Sequence, residues 1–303
     1  MLIKEKDSQE VAIQELEAIT QLADVSKDIR TKAKRELRAL VTGSRGEDNA
    51  AYFINFNYRD KRNWAVIHDL RIEYDGFVAQ IDHLMIGRML EFYVLESKSF
   101  SQGIKITERG EFLAWYYKRY HPIESPIEQN KRHIVVLEKL LIDKVLLPKR
   151  LGMTIKPTFR PYVLISPKSR VIRPKSRDFN TDEVIKMDEF ARQVDVDGDE
   201  MNPVATVGFV AKMISEGALE ELAKSLTKYH TPAPVDYYAK YGIQRIAPIL
   251  KPDKNEEAEG KSSRRNFCAK CGKSISKKVA IYCFQNKERF DGKAYCYDCQ
   301  RTI

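Results

Sequence analysis

Three consecutive segments that are rich in β-branched and aromatic residues constrain the fold of this chain more than any other feature. They read WAVIHDLRIEY, FVAQIDHLMIG and LEFYVLESKSF, and short turns at Asp75-Gly76 and Gly87-Arg88 separate them. Runs of this kind joined by two-residue polar turns are typical of β-hairpins. The sequence therefore predicts an antiparallel set of strands between residues 64 and 100.

The segments on either side predict helices as well as strands. Apolar residues at helical spacing cover residues 6–40, and Gly43 and Gly46 predict a break before a second helix that opens at about Glu47. Downstream, GIKIT and EFLAWYY predict a short strand pair, SPIEQNKRHIVVLEKLLIDKVL a helix, TFRPYVLISP a buried strand and TDEVIKMDEFARQV a helix. This pattern predicts an α/β fold with a mixed central sheet flanked by helices.

The chain has 303 residues, a length typical of about two domains. The segment KPDKNEEAEGKSSRRN is charged and poor in apolar residues, so it predicts a linker before a small cysteine-rich module. We expect an N-terminal helical segment at 1–40, an α/β domain at 41–200, a helical extension at 201–250, the linker at 251–266 and the module at 267–303.

Positive charge is concentrated near the C-terminal end. The net charge is +9, and residues 261–303 contribute +8 of it, with eleven Lys and Arg against three Asp and Glu. Such a balance is typical of a nucleic-acid binder, although lysine-rich tails also serve solubility. No apolar run approaches the roughly 20 residues that span a bilayer, and the N-terminus does not read as a secretory signal. We therefore expect a cytoplasmic protein with no membrane partner.

Three charged residues fall inside or at the end of the predicted strands, where charge is costly unless it is paired or binds a metal. Asp82 lies on the second strand, and Glu96 and Lys98 lie two residues apart on the third, so that they share one face. Two convergent carboxylates suit Mg²⁺ or Mn²⁺, and the lysine could orient or deprotonate a water or stabilise charge on a phosphoryl group. The alternative is a surface hairpin with a cross-strand ion pair.

Asp82 with Glu96-Ser97-Lys98 resembles the PD-(D/E)xK motif of the restriction-endonuclease-like superfamily, and more closely the nuclease-related domain called NERD. The resemblance covers roughly residues 40–145 and implies a restriction-endonuclease-like core that hydrolyses DNA phosphodiesters with Mg²⁺ or Mn²⁺. Ser97 departs from the family, which usually has a valine before the lysine. The other residues that carry the resemblance are Gly46, Glu47, Ile81, His83, Gly103, Trp115, Pro126, Ile127, Glu128 and Gln129.

The resemblance also implies roles for individual residues. Asp82 and Glu96 would bind the Mg²⁺, and Lys98 would be the catalytic lysine. Glu47 would add a carboxylate or position a metal-bound water, and Gln129 would align the site from its helix. Glu47 could instead be a helix-start residue favoured by the helix dipole, and Gln129 could lie on a solvated helix face. For His83, strand alternation predicts the opposite face of the strand, where we expect it to pack or to support the site residues.

All five cysteines lie in the last 36 residues. Cys268-x₂-Cys271 and Cys296-x₂-Cys299 form two knuckles, which predict a tetrahedral Zn²⁺ site. A redox C-x-x-C is less favoured because two knuckles occur together. Cys283, which we expect on a strand, would be a packed thiol or a substitute ligand. The module resembles the zinc ribbons of some NERD proteins and of bacterial type IA topoisomerases, and this resemblance implies DNA binding.

Basic residues of the module are candidates for contacting nucleic acid. Aromatic residues interleave with them, which suits phosphate contact and base stacking, although some of these aromatics could form the module's small core. The candidates are Lys270, Lys273, Lys277, Lys278, Lys287, Arg289 and Lys293.

The leading hypothesis is therefore a metal-dependent nuclease of PD-(D/E)xK type whose zinc ribbon binds DNA. The first alternative is a non-catalytic nucleic-acid-binding protein in which the nuclease-like core is a scaffold. The second is a ribbon that recruits a partner such as a helicase or another DNA-processing protein. RNA as the substrate, a homodimer and the role of residues 204–250 are left open.

Overall fold

A computed structural model of the chain describes residues 1–100, 102–116, 118–150, 152–176, 178–199, 213–245, 266–271, 273–275, 279–280, 283–284 and 286–300. The chain divides into two compact units, residues 1–245 and residues 246–303.

The first unit alternates between strands and helices along the chain. Its helices are α1 (Glu10–Gln21), α2 (Lys27–Tyr58), α3 (Pro126–Asp143), α4 (Phe190–Asp199), α5 (Glu216–Thr227) and α6 (Tyr237–Lys240). Its strands are β1 (Leu2–Lys4), β2 (Trp64–Tyr74), β3 (Phe77–Gly87), β4 (Glu91–Lys98), β5 (Ile104–Ile106), β6 (Phe112–Tyr116), β7 (Arg119–Ile123), β8 (Lys149–Arg150), β9 (Met153–Thr154), β10 (Thr158–Ile165), β11 (Val171–Ile172) and β12 (Val184–Lys186).

The central sheet is mixed, as the sequence predicts. Among the described residues its strand order is β1-β2-β3-β4-β10-β12. The strands β2, β3 and β4 form the predicted antiparallel set. The strand β1 runs parallel to β2, and β10 runs parallel to both β4 and β12. The strand β4 therefore lies between an antiparallel and a parallel neighbour.

Helices cover both faces of this sheet. The helices α3 and α5 pack on one face around Leu84 and Val94, and α2 and α4 pack on the other around Met85 and Leu95. Successive side chains of a strand point to opposite faces. Since both faces are covered, β4 is buried along its length up to Ser97, with only Lys98 partly exposed.

A smaller sheet follows β4 and has the order β11-β5-β6-β7. Its inner face buries Ile104, Ile106 and Phe112 against Ile127 of α3 and Ile165 of β10. The small sheet is thereby anchored next to the end of β4.

The predicted helix break at Gly43 and Gly46 is wrong, because α2 is continuous from Lys27 to Tyr58. A glycine costs a helix interior about 1 kcal/mol relative to alanine, and burial of Ala50 and Ile54 on the same helix offsets that cost. Packing requires a residue without a side chain at Gly46, since a Cβ atom there would lie 2.8 Å from the Cβ atom of Ser99. The expected boundary between residues 40 and 41 falls inside this helix.

Two further segments differ from the sequence predictions. The N-terminal segment, expected to be helical, begins with the strand β1 at the edge of the central sheet. The predicted helix over TDEVIKMDEFARQV begins only at Phe190, because Val184 and Ile185 instead pair with Val163 and Leu164 of β10. These β-branched residues complete a sheet edge, so tertiary pairing outweighs the helical spacing.

The second unit contains β13 (Asn266–Phe267) and β14 (Ser274–Ile275), which form an antiparallel hairpin, and the short helices α7 (Lys287–Phe290) and α8 (Tyr297–Gln300). Its small core includes Ala280, Cys283, Phe290 and Ala294. The strand predicted around Cys283 is wrong, since residues 279–280 and 283–284 are helical, and Ala280 and Cys283 lie in that core. Residues 251–265 of the predicted linker and 201–212 of the predicted extension lie outside the described residues.

Of the helices in the described part of the chain, none combines the length and the apolar character needed to cross a membrane.

Candidate functional site

The candidate site lies where β3 and β4 separate. The two strands pair from Ile86 and Phe92 to His83 and Leu95. Just beyond this last pair, the backbone N–H of Ser97 donates to the Asp82 carboxylate at 2.8 Å. The strand β4 continues to pair with β10 through Lys98. The divergence leaves room for polar side chains between otherwise apolar strands.

Ser97 holds the Asp82 carboxylate with two hydrogen bonds. Its backbone N–H and its hydroxyl both donate to Oδ2 of Asp82, each at 2.8 Å. A valine, which the family usually has at this position, could supply only the backbone bond. The departure from the family pattern therefore adds a fixed contact to the site.

Glu96, Lys98 and Gln129 form a second group at the same place. The Lys98 ammonium lies 2.6 Å from Oε1 of Glu96 and 3.4 Å from Oε1 of Gln129. Gln129 lies in the first turn of α3, which begins at Pro126 and is capped by the Ser125 hydroxyl. The cap and the proline fix the helix start and so direct Gln129 toward Lys98.

One carboxylate oxygen of Glu96 has no hydrogen-bond partner among the described residues. This atom, Oε2, is buried, and Nδ1 of His133 lies 3.8 Å from it, beyond hydrogen-bond range. Burial lowers the pKa of His133 to about 4, with Arg132 and Lys98 adding to the effect. The imidazole is therefore neutral at pH 7 and leaves this oxygen uncompensated. A buried unpaired carboxylate oxygen is costly and is a suitable ligand for a hard cation.

Glu47 approaches the site from α2, and Lys6 holds it. The absence of a side chain at Gly46 brings the helix against Ser99, just after Lys98. The Lys6 ammonium lies 2.9 Å from Oε2 of Glu47 and 2.9 Å from Oδ1 of Asp48. Sequence reasoning missed Lys6, because nothing in the N-terminal segment indicates that it returns to this edge of the sheet.

The clustered carboxylates shift one another's pKa values. Burial, Glu96 and Glu47 raise the pKa of Asp82 to about 8, although the Ser97 hydrogen bonds act in the opposite direction. Burial also raises the pKa of Glu96, against the effect of Lys98. Burial would lower the pKa of Lys98, but Glu96 outweighs it and the pKa is raised. The lysine is a fixed positive charge, and ionisation of both buried carboxyls would place more negative charge there than their surroundings compensate.

The site has the types of side chain that bind a divalent cation, but these side chains do not form a preformed coordination shell. Carboxylate oxygens are the ligands that Mg²⁺ prefers. A metal site of three or more His, Cys, Asp or Glu side chains needs their ligand atoms close together. Among the described residues, it is the C-terminal cysteines that meet this condition. Asp82, Glu96 and Glu47 are spaced more widely, since each is bonded to a protein partner.

His83 lies apart from this group, on the α2 side of β3. Its Nδ1 atom is 2.8 Å from Nδ1 of His68, whose Nε2 atom is 3.1 Å from Oδ1 of Asn55 in α2. One of the two facing nitrogens must donate and the other accept, so both rings cannot be charged. Burial lowers the pKa of His68 to about 4 and that of His83 well below its ordinary value. The pair is a neutral part of the core.

In the second unit, the four knuckle cysteines converge. The ligand atoms of Cys268, Cys271, Cys296 and Cys299 all lie within 4.8 Å of one another, so this cluster could bind zinc. The N–H of Cys268 donates to the Lys273 carbonyl, which closes the turn of the first knuckle. The cluster is suited to the tetrahedral coordination that Zn²⁺ favours.

The cysteine thiols also differ in acidity. Burial would raise the pKa of Cys268, but hydrogen bonds from the backbone of Cys296, Cys271 and Lys270 lower it to about 6. The neighbouring Cys296 thiol and burial raise the pKa of Cys299 to about 12. Thiolates crowded in this way need a cation before all four can ionise. Cys283 lies elsewhere, with its sulfur 3.3 Å from the N–H of Tyr295 and 3.2 Å from Nε2 of Gln300.

The basic residues predicted to contact nucleic acid are only partly described. Lys270, Lys273, Arg289 and Lys293 are exposed. Arg289 donates to the Gln300 carbonyl at 2.9 Å, and the Lys293 ammonium lies 3.5 Å from Asp291. Lys277, Lys278 and the side chain of Lys287 lie outside the described residues.

Comparison with known proteins finds a family that part of the first unit resembles. Residues 42–166 match the family model of NERD, the nuclease-related domain. No curated protein and no solved structure matches the chain. The matched range begins inside α2 and ends just after β10, so it contains Glu47, Asp82, Glu96, Lys98 and Gln129. Over residues 42–166 the chain is therefore similar to NERD domains, and this similarity implies a restriction-endonuclease-like α/β fold there.

Proposed function

We propose that this protein is a nuclease of PD-(D/E)xK type that hydrolyses DNA phosphodiester bonds with the help of Mg²⁺ or Mn²⁺. One observation carries the proposal. Asp82, Glu96 and Lys98 meet where two strands diverge, and a buried oxygen of Glu96 has no hydrogen-bond partner among the described residues. A surface ion pair would not leave a buried carboxylate oxygen without a hydrogen-bond partner.

Asp82 and Glu96 would hold the cation, and Glu47 would add a third carboxylate. A divalent ion bound there would supply charge neutralisation at a phosphoryl group and activation of a water molecule. Burial is the main cause of the raised pKa values of the two carboxyls, and a bound cation would favour their charged forms.

The remaining residues would position these groups. Ser97 would keep Asp82 in one orientation through its two hydrogen bonds. The Lys98 ammonium, held between Glu96 and Gln129, would place a fixed positive charge beside a bound phosphate and stabilise the charge that develops there. Lys6 would orient Glu47 from outside the NERD domain.

The cysteine-rich unit would bind Zn²⁺ and add affinity for DNA. Four converging cysteines and exposed Lys and Arg side chains support this part of the proposal. Contacts between such side chains and phosphates weaken steeply as salt rises. DNA affinity that does not change with salt would contradict this role.

The test of the proposal is cleavage of plasmid DNA by the isosteric variants Asp82→Asn and Glu96→Gln. Each variant removes one negative charge from the cation site while it keeps the side-chain shape. Loss of a metal ligand removes several kcal/mol of transition-state stabilisation, so we expect cleavage with Mg²⁺ to fall about 100-fold or more. DNA affinity measured in EDTA should stay nearly unchanged.

Glu138→Gln is the matched control, because Glu138 lies on the exposed face of α3, the helix that carries Gln129. It should cleave like the wild type. Wild-type rates in both site variants would overturn the site assignment. DNA binding without cleavage by the wild type would instead favour the nuclease-like scaffold.

A further inference from the structure

An aromatic and basic pocket lies on the small sheet beside the candidate nuclease site. It encloses about 250 Å³ and is lined in part by Gly103, Trp115, Tyr120 and Arg170. Among the described residues that line it, none is acidic. The site described above uses none of these residues, so their arrangement calls for a separate explanation.

The pocket lies on the outer face of the small sheet. Trp115 of β6 and Tyr120 of β7 are directly opposite each other across the two strands, with ring centroids 4.7 Å apart and planes inclined at 71°. The inner face of the same sheet buries Ile104 and Phe112. An outer face normally carries polar residues, yet Trp115 is only partly buried here and Tyr120 is 37% exposed.

Basic groups border the two rings. The Lys105 ammonium lies 5.7 Å from the centroid of the Tyr120 ring. The Arg170 side chain is exposed and forms no hydrogen bond or ion pair within the described part of the chain. Gly103 fixes the spacing between the strands, because its φ is +99° and a Cβ atom would lie 2.4 Å from the Arg170 carbonyl oxygen. The pocket therefore combines π surfaces with unneutralised positive charge.

The pocket is close to the candidate nuclease site. Gln102, which also lines it, follows Lys98 by four residues, so their Cα atoms are at most about 14 Å apart. Arg170 follows β10, whose last residue Ile165 pairs with Lys98. A nucleic-acid strand that places a phosphate beside Lys98 could therefore reach the pocket with a nearby nucleotide.

We propose that this pocket binds an unpaired base of single-stranded nucleic acid, with the base stacked on Trp115 or Tyr120 and an adjacent phosphate on Arg170. Aromatic stacking accepts any base, and nearby basic groups follow the backbone. A base paired inside a duplex offers no free face, so the pocket favours single strands. The inference rests on the proposed function in taking nucleic acid as the ligand.

The test measures binding in EDTA, so that no cleavage is needed. The probe is a fluorescently labelled oligonucleotide of twelve thymidines, and its affinity is measured by polarisation with the full-length chain. Stacking on an aromatic side chain contributes about 1–3 kcal/mol per base, so Trp115→Leu should weaken binding about fivefold to 150-fold. Arg170→Ala should also weaken it. Phe77→Leu, which removes an exposed aromatic ring outside the pocket, should not.

A second measurement reports on the pocket itself. The chain has two tryptophans, Trp64 and Trp115, so Trp64→Phe leaves Trp115 as the sole tryptophan. Saturating oligonucleotide should quench its emission. Unchanged emission at saturation, or equal affinity of the wild type and Trp115→Leu, would overturn the proposal. If Trp64→Phe does not fold, the polarisation comparison decides alone.

Failure of this inference is distinct from failure of the nuclease proposal. Quenching without plasmid cleavage would support the pocket and contradict the nuclease. Plasmid cleavage without any effect of Trp115→Leu on oligonucleotide binding would support the nuclease and contradict the pocket.

Discussion

At the scale of single residues, the candidate site depends on side chains that the motif does not contain. Ser97 bonds Asp82 twice, and Lys6 pairs with Glu47 from a segment outside the NERD match. Asp82, Glu96 and Lys98 could be predicted because strand periodicity and hairpin order are local properties of the sequence. Lys6 and His133 could not, since the contacts they make require the folded sheet and the helices packed on it.

The His68–His83 pair predicts how stability depends on pH. Because the pKa of His68 falls to about 4 on folding, below the value of about 6.5 in an unfolded chain, protonation favours unfolding. The neutral His68 ring therefore stabilises the fold fully above about pH 6.5, and this stabilisation is lost as the pH falls toward 4. The loss should reach about 3 kcal/mol, measured as the free energy of unfolding in denaturant between pH 8 and pH 4.

His68→Gln should reduce this dependence, because glutamine does not titrate, while the other buried histidines still do. His121→Gln, a change on the small sheet away from the pair, should keep the wild-type slope. If His68→Gln and the wild type lose stability equally between pH 6.5 and 4, the neutral pair is not the cause.

At the scale of elements, α2 differs most from its prediction. The strands β2, β3 and β4 agree with the sequence pattern, because their alternation and their turns are local signals. The helix α2 continues through two glycines that predicted a break, since its buried face compensates for them. The strand β12 was likewise missed, because only its pairing with β10 defines it.

The two glycines of α2 offer a matched pair of variants. Gly43 has no atom within 4 Å of the position of an added Cβ, so Gly43→Ala should raise the free energy of unfolding by up to about 1 kcal/mol through helix propensity. At Gly46 an added Cβ would clash with Ser99. Gly46→Ala should lower stability by about 1–3 kcal/mol and displace Glu47, so that cleavage falls as well.

Denaturant unfolding and plasmid cleavage of both variants check this prediction. Equal effects of the two substitutions would show that the approach of α2 to β4 does not matter for the site.

At the scale of the whole molecule, the two units should depend on different ions. Cys268→Ser removes one of four ligands, so bound zinc should fall well below one ion per chain. The C-terminal unit should lose its order, because a small module of this kind takes its stability from the metal. Unfolding of residues 1–245 should be unchanged. Zinc content and thermal unfolding of the full-length chain measure both effects.

Cys283→Ser is the control, because the Cys283 sulfur contacts Tyr295 and Gln300 rather than the cluster. It should keep its zinc. Full zinc content in Cys268→Ser, or zinc loss in Cys283→Ser alone, would contradict the assignment of ligands.

The most direct test of the central claim is cleavage of supercoiled plasmid and linear DNA by the wild type and by Lys98→Ala, with Mg²⁺, Mn²⁺ or EDTA. We predict that the wild type cleaves only with a divalent cation. We predict that Lys98→Ala loses cleavage by about 100-fold or more, because it removes the fixed charge beside the phosphate, and that it stays folded and still binds DNA. Intact plasmid after incubation of the wild type with either cation, or equal cleavage by Lys98→Ala, would contradict the nuclease assignment.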